Sequence, residues 1–162
     1  MRALLRFGTA CGVLVLAAGF PVRASEPSIA VAIVVALGND APTGLQEVAL
    51  IYRRKKRFWP DGGKINPVNL PTKNLQRRLF SQFVLRSSPE ELERYWNNMY
   101  FQGESPPFVL DSEEAVLRFV ARTRGAIGYV NYCSVDARVK VAMVFTSTGR
   151  VSEATARASC PG

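Results

Sequence analysis

The chain has 162 residues, a net charge of +8, three cysteines and no histidine. The missing histidine excludes Ser-His-Asp and Cys-His catalytic units and any histidine-ligated metal. Glu90, Glu91, Glu93, Glu113 and Glu114 all fall at the starts of expected helices, where capping and the helix dipole favour acids. With no nucleophile elbow, phosphate loop or carboxylate pair in an apolar setting, the sequence predicts a non-enzyme without cofactor or metal.

The amino terminus comes first. Arg2 and Arg6 precede an uncharged, largely apolar stretch from Phe7 to Phe20, then Pro21 and Val22-Arg23-Ala24. This three-part pattern predicts a secretory signal peptide over 1–24, cleaved after Ala24. The apolar run is shorter than the roughly 20 residues a membrane helix needs. Cys11, with Gly8 three residues before it, lacks a lipoprotein pattern. Processing removes three arginines and leaves 138 residues of net charge +5, the size of one domain. The expected divisions are the signal at 1–24, one α/β domain at 25–145 and a polar tail at 146–162. The expected location is the periplasm, with no membrane span in the processed chain. Cys133 and Cys160 survive processing, and in an oxidising compartment they are expected to form a disulfide.

Ser28 to Leu37 is almost continuously apolar and β-branched, which predicts a strand buried on both faces, as in parallel sheets. Thr43 and Gln46 have the spacing of a capping box. Leu45, Val48, Ala49 and Tyr52 then mark one face of a helix. The basic run Arg53-Arg54-Lys55-Lys56-Arg57 ends that helix; it reads as a solvated loop, with contact to an anionic surface as the rival and no nucleic-acid partner expected. Trp59-Pro60-Asp61-Gly62 is a turn. Ile65 to Leu70, interrupted by Pro67, predicts an irregular or edge strand.

Thr72 or Asn74 can cap the next helix, which carries Leu75, Leu79 and Phe83. Ser88-Pro89-Glu90-Glu91 is the strongest helix start, with Tyr95, Trp96 and Tyr100 on its expected core face and Gly103 as its stop. Asp111 and Ser112 open a further helix, with Asp111 expected as a cap. Ala126–Val130 and Val139–Phe145 predict strands, and the tail from Thr146 little regular structure. Alternating strands and helices predict an α/β fold with at least one parallel pair.

Several of these elements, in this order, resemble one lobe of the phosphate-type periplasmic solute-binding proteins of ABC transporters. The matching features are the Trp59-Pro60-Asp61-Gly62 turn, the helix with Arg77-Arg78 and Phe80, the Tyr95-Trp96 helix, and Gly125-Ala126-Ile127-Gly128-Tyr129-Val130. The resemblance implies a single periplasmic-binding-protein-like lobe with a mixed or parallel sheet. It places the ligand turn at Asn69 to Asn74, where the relatives carry an arginine, an aspartate and a serine-glycine-threonine group that this chain lacks. The candidate ligand residues are Thr72, Lys73, Asn74 and Arg77. One arginine of the Arg77-Arg78 pair could reach back to a bound anion; the alternative is a solvent-facing role. Expected partners are a small oxyanion such as phosphate and a second copy or other partner completing the lobe. The rival is an accessory protein that keeps the fold without a ligand.

Overall fold

The computed structural model describes residues 29–161. The expected signal peptide and Cys11 lie outside the described residues. A six-stranded sheet is built from β1 (Val31–Val35), β2 (Asn66–Asn69), β3 (Phe108–Val109), β4 (Ala126–Asn131), β5 (Lys140–Thr146) and β6 (Gly149–Val151), in the order β3-β2-β4-β1-β5-β6. Five helices surround it: α1 (Leu45–Tyr52), α2 (Leu75–Phe83), α3 (Pro89–Tyr100), α4 (Glu113–Arg122) and α5 (Glu153–Arg157). The fold is α/β with a mixed sheet, as expected.

The parallel pairs are β2 with β3 and β2 with β4. β1 is fully buried at all five positions, but it runs antiparallel to both β4 and β5. Its apolar run correctly marked burial on both faces; the parallel setting inferred from it is overturned, because helices cover a central strand whatever its direction. β2 pairs with β3 at Val68 and Asn69 and with β4 at Asn66 and Pro67. At Pro67 only the β4 pairing remains, so the proline occupies a local edge, where its missing N–H is tolerated.

α1 and α2 share one face of the sheet. There Tyr52 and Phe80 meet Tyr129, with Phe80 and Tyr129 stacked at 4.0 Å between centroids. α4 covers the other face. A Cβ on Gly128 would meet Val116 Cγ1 at 2.5 Å, so only glycine lets that helix seat.

The Trp59-Pro60-Asp61-Gly62 turn closes through Gly62 N–H to the Trp59 carbonyl at 3.0 Å, with Gly62 at φ 82°. The Ser88–Glu91 capping box forms on α3 with both its bonds. Other caps differ from expectation. The N-cap of α1 is Gly44, and Thr43 bonds through its N–H and hydroxyl to Glu47, not Gln46. Ser112 rather than Asp111 caps α4. Phe101 ends α3, with Gly103 two residues beyond at φ 77°. On α3 Leu92 is buried, and of the expected core face Tyr95 and Trp96 are half-buried while Tyr100 is exposed.

The tail is more ordered than its polarity suggested. β6 pairs with β5, Ser152 caps α5, and Ala156 packs into the core. Cys133 and Cys160 are joined by a disulfide, Cα to Cα 5.5 Å. It ties α5 to the 3-10 turn Tyr132–Ser134 that follows β4.

Candidate functional site

Because β2, β3 and β4 run in one direction, their carboxyl ends open on the same edge of the sheet. Two helices start at that edge, α2 after β2 and α4 after β3, the latter beside the turn after β4. Ligands of open α/β sheets bind at such an edge, where free amides and the positive ends of helix dipoles converge. The two helix starts differ in charge. α4 begins with Glu113 and Glu114, and the Glu113 carboxylate accepts the Asn131 N–H at 2.9 Å. Carboxylates occupy the place an anion would take. α1, α3 and α5 also carry an acid in their first turn. α2 is the exception among the described helices: no acid stands in its first turn, and Lys73 precedes it.

The four expected ligand residues are gathered at this turn but play different parts. Thr72 and Lys73 are exposed. Asn74, not Thr72, caps α2, and its carbonyl oxygen accepts the Arg77 N–H at 3.1 Å. Asn74 therefore already uses one amide of the helix start, which leaves those of Leu75 and Gln76 for another acceptor. Arg77 points inward and is only 6% exposed. Its Nε and Nη1 are buried and lack a hydrogen-bond partner. Arg78 is the outward member of the pair.

The buried face of α2 thus departs from the expected stripe. Gln76, Arg77, Phe80 and Ser81 face the sheet, whereas Leu75 is exposed and Leu79 and Phe83 are half-buried. Ser81 is fully buried and its hydroxyl is also unpartnered. Arg77 and Ser81 stand one helical turn apart, so two unsatisfied polar groups share one interior stripe. A spacing of four between polar residues on either side of Phe80 was the signal available in the sequence.

Tyr129 links this stripe to the turn. Its hydroxyl accepts the Leu70 N–H at 3.2 Å and donates to Asn69 Oδ1 at 3.1 Å. Burial raises the Tyr129 phenol above its ordinary pKa, and the Arg77 charge pulls against that rise. Tyr52, which donates to the Val68 carbonyl at 2.9 Å, is pushed well above the ordinary value by burial and by Tyr129, again opposed by Arg77. Both phenols therefore stay neutral, and neither supplies a counter-charge to the guanidinium. Asn69 and Tyr129 stood in the sequence only as parts of the expected ligand turn and of the Gly125–Val130 segment; the folded sheet sets them side by side and brings Tyr129 to Arg77.

The basic run is largely engaged within the chain. Arg53 donates to the Leu85 carbonyl and Ser87, Lys56 pairs with Glu47, and Arg57 pairs with Glu104. These contacts fit a structural loop. Among the described residues no group of three histidine, cysteine or carboxylate side chains is placed to hold a metal, and no helix is long and apolar enough to cross a membrane.

This architecture matches solved structures. A Clostridium perfringens protein crystallised with bound phosphate, described as a phosphate ABC transporter substrate-binding protein, superposes with a TM-score of 0.59 at 20% identity over 74% of this chain and 46% of its own. An ABC-type phosphate transport receptor from Vibrio cholerae gives 0.52 at 21% identity, over 72% of this chain and 47% of its own. The chain shares its fold with part of each of these two proteins and spans less than half the length of either. No protein-family model and no curated protein matches it.

Proposed function

We propose that the chain is an exported, solute-binding-like module that holds a small oxyanion such as phosphate at the β2–α2 turn, in connection with ABC-type transport. One observation carries the reading: a helix start with no acid of its own stands above an arginine that is buried and has no counter-charge. A buried unpaired charge is costly, and its field is screened far less than that of a surface charge. Lys73 and the amides of Leu75 and Gln76 provide direct donors, and Arg77 adds its charge from beneath.

The turn is open on its outer side, so water competes for the anion. The expected dissociation constant is on the order of 0.1–1 mM, about −4 to −5.5 kcal/mol. An NMR titration of the purified protein with phosphate tests this. Shifts centred on Thr72 to Gln76 and weakened by Lys73→Ala support the site; saturating phosphate with no shift there rejects it. The second reading is an accessory protein that retains the fold without a ligand. It draws on Asn74, which fills part of the helix start from within. A processed amino terminus at Ser25 in the exported protein tests the signal peptide.

A further inference from the structure

Given an oxyanion at the β2–α2 turn, as proposed above, we propose that the site does not select phosphate but takes doubly charged tetrahedral oxyanions as a class, sulfate equally with the phosphate dianion. Rejecting a fully ionised anion in favour of a protonated one needs a repulsive element: a carboxylate facing the ligand, which accepts the ligand's hydroxyl and repels an oxygen that carries no proton. From Asn69 to Leu79 there is no acid. The groups offered at the turn are donors: the Leu75 and Gln76 amides, the Thr72 hydroxyl and the Lys73 ammonium. Beneath them lies the Arg77 charge.

The acceptors close by are already engaged. Asn74 Oδ1 takes the Arg77 N–H, and Asn69 Oδ1 takes the Tyr129 hydroxyl. On the neighbouring strand end, Leu110 N–H bonds the Asn69 carbonyl at 2.8 Å, and Asp111 follows. Asp111 is exposed. It directly follows the residue bonded to the end of β2. Glu113, next on α4, is engaged with Asn131. The buried Tyr52 and Tyr129 phenols stay neutral. With two positive groups and no opposing carboxylate, charge decides the preference: dianions above monoanions, whichever element stands at the centre.

The test is a set of NMR titrations of the purified protein with sodium sulfate, sodium phosphate and sodium nitrate, at constant ionic strength set with chloride. At about pH 8, sulfate and phosphate are expected to bind within about fivefold of each other, with nitrate weaker than both by more than about tenfold. Between about pH 6 and pH 8, across the second ionisation of a phosphate group, phosphate affinity should rise while sulfate affinity stays level. The chain has no histidine that would titrate in that window. Asp111→Asn should change the sulfate-to-phosphate ratio by less than about twofold. Phosphate favoured over sulfate by more than fivefold overturns the inference while leaving the oxyanion site standing, and a ratio abolished by Asp111→Asn would name the missed carboxylate. Nitrate binding as well as sulfate overturns it in favour of unselective charge attraction. Failure of both dianions to bind rejects the site itself.

Discussion

The Trp59 indole N–H donates to the carbonyl of Gly125 at 3.1 Å, joining two turns 66 residues apart at the sheet edge opposite the anion turn. Asn66 N–H reaches the same carbonyl at 2.9 Å, and the Gly125 N–H donates to Asn39 Oδ1 at 3.2 Å. Gly125 sits at φ 76°, and a Cβ there would meet the Lys64 carbonyl oxygen at 2.0 Å. The Trp-Pro-Asp-Gly and Gly-Ala-Ile-Gly segments, far apart in sequence, are therefore one clasp.

The clasp predicts an order of damage. Gly125→Ala combines left-handed backbone strain with a backbone clash and should cost more than about 3 kcal/mol. Trp59→Phe removes one hydrogen bond while Asn66 still satisfies the carbonyl, and should cost about 1–2 kcal/mol. Urea denaturation of both variants checks the order; a milder effect from Gly125→Ala would show that the turn relaxes.

Local signals were the legible ones. The Ser88–Glu91 box lies within four residues, and it formed as read. β1 was legible as buried because burial follows from composition, but its direction depends on partners 100 residues away in the chain. The α2 face was misread for a physical reason: Leu75, Leu79 and Phe83 at spacing four mark an apolar stripe, and nothing local says that an arginine takes the interior instead. The tail was undervalued because its order comes from a small buried residue, Ala156, a serine cap and a covalent tie. Thr72, Lys73, Asn74 and Arg77 were suggested by resemblance and follow one another through the β2–α2 turn into the first turn of α2, while the approach of Tyr129 to Asn69 and Arg77 required the folded sheet.

The disulfide between Cys133 and Cys160 closes a loop with a sequence separation of 27. In the chain-entropy model this contributes about 3.5 kcal/mol at most. The double variant Cys133→Ser, Cys160→Ser should lose up to that amount in denaturant titration, with early protection lost from amides of 149–160 in hydrogen exchange. Two free thiols in the unreduced, denatured protein would contradict the bond.

Alkaline pH should destabilise the fold through Tyr52 and Tyr129. Both are raised in the folded state, mainly by burial. Above pH 10.0, their ordinary value, the unfolded chain releases protons that the folded chain keeps. Their contribution is complete below that pH and declines above it, by up to about 1.4 kcal/mol per pH unit for each tyrosine. Tyr52→Phe should flatten that slope. A pH series of urea unfolding, read between about pH 9 and pH 11, decides it; an unchanged slope would place the phenols outside the linkage.

The measurement closest to the central claim is a paired determination of stability and anion affinity for Arg77→Met. If the guanidinium is a buried charge retained for a ligand, a flexible apolar side chain of similar reach should relieve it and raise stability in phosphate-free buffer by about 1–3 kcal/mol. The same substitution should weaken phosphate and sulfate binding by about tenfold or more, or 1.4 kcal/mol. Lower stability with unchanged affinity, or a chain that no longer folds, would show that Arg77 serves the fold and would contradict its role at the anion turn.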